Sequence, residues 1–178
     1  MKKFLLLICL LYNQHLFSQD IIVAINGVQG NRPLVPTDFT GKQTNSFDGH
    51  TNMAIKYNFK NVKLVGDSVY ADGATINLDM VSNKSWLKDG PQVDYLLKHE
   101  QGHFDMWLIC ANELAKAYQH LGFAKEQFDD KANAIGDAIF KKYTDLETLY
   151  DKETEHSKNR EEQEKWNQFF KDNLPTGN

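Results

Sequence analysis

Only two cysteines occur in this chain, Cys9 and Cys110. If the segment carrying Cys9 is removed, Cys110 has no partner, and a disulfide framework is excluded. No apolar run approaches the roughly 20 residues that a permanent membrane helix needs; the run "FLLLICLLY" stops at Tyr12. Basic side chains are not in excess either. Lys and Arg number 20 against 24 Asp and Glu, for a net charge of -4. Without a basic footprint, nucleic acid is not the expected partner. Internal repeats, low-complexity tracts and linkers are also missing. At 178 residues, of which 41% are hydrophobic, the chain reads as one globular domain able to bury a core without staples.

What is present begins with a leader. Lys2 and Lys3 precede the apolar run, and "NQHLFSQD" follows it, the charged start, short greasy middle and polar exit of a signal peptide. Cleavage is expected after Ser18, leaving residues 19–178 as the mature domain in a secreted or periplasmic setting. A lipid anchor at Cys9 is not expected, because Ile8 is too bulky before it and the cysteine comes too early.

From about residue 20 to 90 the pattern is strands and turns. "NMAIKYNFK" alternates, with Met53, Ile55, Tyr57 and Phe59 on one side. "ATINLDM" repeats this with Ala74, Ile76, Leu78 and Met80, and "VKLV" is a weaker strand. Period-two alternation implies strands with one buried face, here a small antiparallel sheet. Its cover comes from the second half. Pro91 suits a first helical turn and Gly122 a cap beyond the end, with Leu96, Phe104, Leu108, Ala111 and Tyr118 at helical spacing between them. A second helix is expected over 124–149, and Asn159 with Glu162 resembles a capping box opening a third. The fold class is therefore α+β: an N-terminal antiparallel sheet packed against a C-terminal bundle of about three helices.

The chemistry lies in "YLLKHEQGHFDMW", residues 95–107. His99 and His103 are one helical turn apart, so both imidazoles leave nearly the same face and can hold one metal ion. Zinc suits neutral imidazole and takes three protein ligands plus water at a catalytic site. Glu100, rotated about 100° from His99, is a poor ligand but a well-placed general base and acid. This is the H-E-x-x-H logic of metallopeptidases, and it arises by chance in roughly one shuffled chain in a hundred.

The third ligand must come from beyond Gly122. Glu113 is about 15 Å along the axis at 1.5 Å per residue, His120 is farther still, and Asp105 points away. A metzincin would need glycine at Met106 and histidine at Ile109, so that class is excluded. In an antiparallel hairpin, Asp145 and Glu147 reach the right height. His156 does so if the chain reverses near Tyr150 and Asp151, and as an imidazole it ranks first.

"LLKHEQGHFD" followed by "YDKETEHSKNREEQEKWN", together with "PLVPTDFTGK" and "SWLK", resembles a family of predicted secreted zinc-dependent proteases, domain of unknown function 922. The resemblance implies a zincin-like fold and peptidase activity. Its tail motif falls on Tyr150, Asp151, Thr154 and His156, which supports His156 as third ligand, with Ser157 where glycine is common. Tyr150 is a candidate oxyanion stabiliser or a core aromatic. Asp151 is expected to orient a ligating histidine or to cap a helix. Gln163 and Trp166 are expected to pack under the site, Asp105 on the helix's far side, and His50 and His120 at the surface.

These readings lead to a zinc metallopeptidase with His99, His103 and His156 as ligands and Glu100 as base. Its partner would be a peptide or protein substrate held along a sheet edge. A non-catalytic envelope binding protein with structural zinc, and a zinc hydrolase of non-peptide amides, are the alternatives.

Overall fold

The computed structural model describes residues 21–175; the expected leader, residues 1–18, lies outside them. The two alternating segments form strands as their pattern requires. β4 (Met53–Phe59) and β7 (Ala74–Met80) pair antiparallel, with Ile55 opposite Leu78. Ala74, Ile76, Leu78 and Met80 are all wholly buried. β1 (Ile21–Ile25) flanks β7 on the other side and β2 (Val28–Gln29) closes that edge.

β1 runs parallel to β7, so the sheet is mixed where antiparallel pairing alone was expected. The segment "IIVAI" carries no alternation, and its direction is set by the long crossover between it and β7, as parallel pairing demands. Two smaller sheets complete the β layer. β3 (Gly49–His50) pairs with β8 (Trp86–Leu87), while β5 (Lys63–Val65), β6 (Ser68–Ala71) and β9 (Leu121–Ala124) form the other.

α1 (Val93–Ala117) crosses the main sheet. Its Phe104, Met106, Leu108, Ala111 and Leu114 are buried in the shared core. Each large side chain so buried contributes roughly 1.5–3 kcal/mol, which fixes the helix firmly on β7. α1 stops short of Gly122, because residues 121–124 leave the helix to pair with β6. Gly122 is therefore a strand residue, where a side chain would strike the Tyr70 ring.

α2 (Phe128–Glu153) packs on α1 and runs past Leu149, four residues farther than the periodicity suggested. The chain then reverses in a turn where Glu155, His156 and Ser157 all take left-handed φ values of 49°, 50° and 76°. Such a conformation costs about 1–2 kcal/mol per non-glycine residue. Buried Thr154 holds the turn: its hydroxyl donates to Tyr150 O at 2.6 Å, and Asn159 N donates to Thr154 O at 2.8 Å. α3 (Arg160–Asn173) follows, capped by Asn159 accepting from Glu162 N. It lays Trp166 and Phe170 beneath the middle of α1. Among the described residues no helix is long and apolar enough to cross a membrane.

Candidate metal centre

The middle of α1 meets the end of α2 at the histidine pair. His99 and His103 are both buried, with ring centroids 5.0 Å apart and planes near perpendicular at 88°. Gly102 between them makes this possible. A Cβ there would collide with the Tyr150 hydroxyl and the Phe170 ring, so a helix-weakening residue sits where α2 and α3 press closest to α1.

A chain of donors fixes how each imidazole is oriented. The Tyr150 hydroxyl donates to His99 O at 2.9 Å and accepts from Gln163 Nε2 at 2.7 Å. Gln163 Nε2 also faces Asn167 Oδ1, so Gln163 Oε1 is left to accept from His99 Nδ1 at 3.1 Å. On the other ring, Glu147 Oε1 accepts from His103 Nδ1 at 3.2 Å and from Trp107 Nε1 at 2.8 Å. Both histidines therefore carry their proton on Nδ1 when neutral and turn an Nε2 lone pair outward, the arrangement that ligating histidines show.

Both lone pairs meet the same atom. Asp151 Oδ1 is 3.2 Å from His99 Nε2 and 3.1 Å from His103 Nε2. Three acceptors facing one another are unfavourable unless a cation sits among them. With protons in that role, burial opposes the charge on His103, but its bonds to Asp151 and Glu147 and the nearby Glu100 push its pKa up to about 10. Burial likewise opposes ionisation of Asp151, yet the bonds from His103 and His99 hold its carboxyl far below the usual range. The site demands positive charge.

A divalent ion meets that demand with this donor set. His99, His103 and Asp151 each present a ligand atom, all within 4.8 Å of one another. Tetrahedral zinc with bonds of about 2.0–2.1 Å has donor–donor edges of about 3.3–3.4 Å, close to the two nitrogen–oxygen distances above.

Asp151 thus stands where His156 was expected. His156 shares the cavity but sits one step outside the donor set: its Nδ1 is 3.5 Å from Asp151 Oδ1, and its ring stacks on Phe47 at 4.2 Å. The reason is the length of α2. Because the helix continues to Glu153, Glu147 and Asp151 fall one turn apart on the face toward α1, and the turn brings His156 in above them. Asp145 is exposed and paired with Lys141 at 2.7 Å, away from the histidines. Tyr150 is wholly buried with its hydroxyl engaged by His99 O and Gln163. It is a positioning residue beneath His99, whose ring it stacks on at 4.6 Å, and not an oxyanion donor.

Glu100 faces the same cavity, which holds about 310 Å³. Its Oε2 accepts from the Thr51 hydroxyl at 2.7 Å, and its Oε1 lies against Gly49 of β3, where any side chain would displace it. Thr51 and Gly49 carry no signal in the sequence; Glu147, there an alternative third ligand, instead orients His103, and Gln163 was expected only to pack. The signal for Glu147 was its i,i+4 spacing from Asp151; the β3 pair carries no motif of its own. Asp105 lies on the far side of α1, as expected, accepting from Gln101 Nε2 at 2.8 Å. His50, expected at the surface, is half-buried: its ring is tilted against Trp86 at 4.6 Å and it lines the metal cavity, whereas His120 is exposed.

A family model described as a bacterial protein of unknown function (DUF922) matches residues 34–157, well over half of the chain. No curated protein and no solved structure matches it.

Proposed function

The chain belongs to the DUF922 family, and from the geometry of its site we propose that it is an exported zinc-dependent hydrolase of peptide bonds. The observation that carries this reading is the placement of a carboxylate base, Glu100, in the same cavity as three convergent metal donors. His99, His103 and Asp151 hold the ion, and Gln163 and Glu147 keep the two rings turned toward it. Zinc, when bound, supplies Lewis acidity toward a carbonyl and toward water. Glu100 takes the proton of the attacking water and returns it to the leaving amine, while Thr51 and Gly49 keep its carboxylate in place. Two imidazoles and a carboxylate also suit non-haem iron. A base beside the donors has a task in hydrolysis and none in a purely structural site, which favours the hydrolase. The leader read in residues 1–18 supports export, and N-terminal sequencing of the mature protein tests the cut after Ser18.

Glu100→Gln is the direct test. The variant should keep one zinc per chain and lose about 10²–10⁴-fold in turnover of an unfolded protein substrate, the range for a removed acid–base group. Undiminished turnover would remove Glu100 from the chemistry. Stoichiometric zinc with no hydrolysis of any peptide or amide in the wild type would instead support a structural metal.

A further inference from the structure

The cavity does not end at His156. Beyond the stacked pair of His156 and Phe47 lies a second chamber of about 480 Å³, and both rings, with Leu96, line the two chambers together. The chambers differ in charge. The first is walled by Glu100, Glu147 and Asp151 around the donors. The second carries Lys158 and Arg160, and its one carboxylate, Asp48, is already paired with Lys88 at 2.9 Å.

Neither cation is neutralised within the fold. Among the described residues no carboxylate lies within ion-pair distance of Lys158 or Arg160. Arg160 is instead fixed in place: its guanidinium lies over the Tyr95 ring at 4.8 Å and donates to Gln92 Oε1 at 3.0 Å. A guanidinium has five N–H donors in a rigid fork, so most of them stay available. The half-buried Tyr95 side chain that carries this guanidinium also forms part of the chamber wall, and among the described residues its enclosed hydroxyl has no hydrogen-bond partner, a condition that native structures seldom leave uncompensated.

We propose that this second chamber is a subsite for a carboxylate of the substrate, gripped by Arg160 and Lys158 while the adjoining peptide bond lies in the metal chamber beyond His156 and Phe47. This rests on the reading of the metal chamber as a peptide-hydrolysing site. The shared chemistry is a carboxylate, from either an acidic side chain or the free end of a chain. Two unpaired cations in a net-acidic protein, beside a chamber of the opposite sign, would orient such a substrate along the groove.

The test uses full-length protein carrying Glu100→Gln, loaded with zinc, and dye-labelled peptides differing only in Glu against Gln at single positions, or in a free against an amidated C-terminus. Binding is read by fluorescence anisotropy, and hydrolysis of the same peptides is followed with wild type. Carboxylate-bearing peptides should bind about tenfold more tightly, a difference of 1.4 kcal/mol, and the preference should shrink in 0.5 M salt. Lys158→Gln with Arg160→Gln should abolish the preference and leave the neutral peptide's affinity unchanged. Arg160→Lys, which keeps the charge, should retain part of it and guards against a merely misfolded double variant.

Whichever peptide pair shows the gain names the source of the carboxylate. Equal binding of all the peptides, or a preference surviving in the double variant, overturns the subsite. The outcomes are separable from those of the underlying reading: a binding preference without hydrolysis by wild type keeps the subsite and sinks the peptidase, and hydrolysis without preference does the reverse.

Discussion

Two half-buried aspartates on opposite sides of α1 meet opposite fates. Asp151 faces two imidazoles and is held strongly ionised. Asp105 has one amide for company, and burial pushes its pKa up to about 6 despite the Gln101 bond. Desolvation acts on both in the same direction. The difference is the pair of imidazoles present at one and missing at the other, so the Asp151 side of the helix favours a cation and the far side merely tolerates a carboxyl.

Replacing the aspartates and their neighbours breaks that comparison. Asp151→Ala should have the largest effect. Zinc affinity, measured by competition with a chelator, should fall by more than the roughly 10–100-fold that residues which only orient ligands control. His156→Ala should fall within or below that range, and a loss as deep as that of Asp151→Ala would return His156 to the ligand set.

Next comes Gln163→Ala. Freed of its partner, His99 should lose zinc affinity by about 10–100-fold, with Glu100 untouched. Normal affinity in a folded variant would mean that the Tyr150 and Thr154 framework alone sets the ring.

The pH dependence sharpens the same contrast. His103 must release its proton to bind metal, and its pKa is pushed up to about 10. Zinc affinity should therefore rise about tenfold per pH unit between pH 7 and 9, one proton leaving per ion bound. A flat profile there would show that no raised histidine competes with the metal.

The smallest effect lies on the far side. The fold raises the pKa of Asp105 to about 6, so the native state binds its proton more tightly than the unfolded chain does. Stability then falls as pH climbs from about 4 through 6. Asp105→Asn removes this loss. Urea unfolding should show a gain of about 2 kcal/mol at pH 7.5, the roughly 3 kcal/mol that follows from about 1.4 kcal/mol per pH unit being reduced because solvent screens a half-buried carboxylate, and little at pH 4. A gain equal at both values would place its origin elsewhere.

How much of this was legible depended on distance along the chain. Alternation in "ATINLDM" became the buried face of β7 residue for residue, because the pleat is local. The end of α2 was not legible: Tyr150, Asp151 and Lys152 break the apolar rhythm, yet they stay helical since Tyr150 is drawn under α1 by His99 O and Gln163. That extension of the helix moved the expected third donor from His156 to Asp151.

By itself, then, the sequence determined the pair of imidazoles and the carboxylate beside them. Helical period alone puts those three residues on neighbouring faces of one helix, and distant groups then orient their side chains. Only the tertiary structure decided which distant groups finish the site. Asp151 and Gln163 stand 52 and 64 residues from His99, and Thr51 stands 49 from Glu100. Contacts of that span follow from how apolar faces pack and where helices stop, and no short-range spacing encodes either.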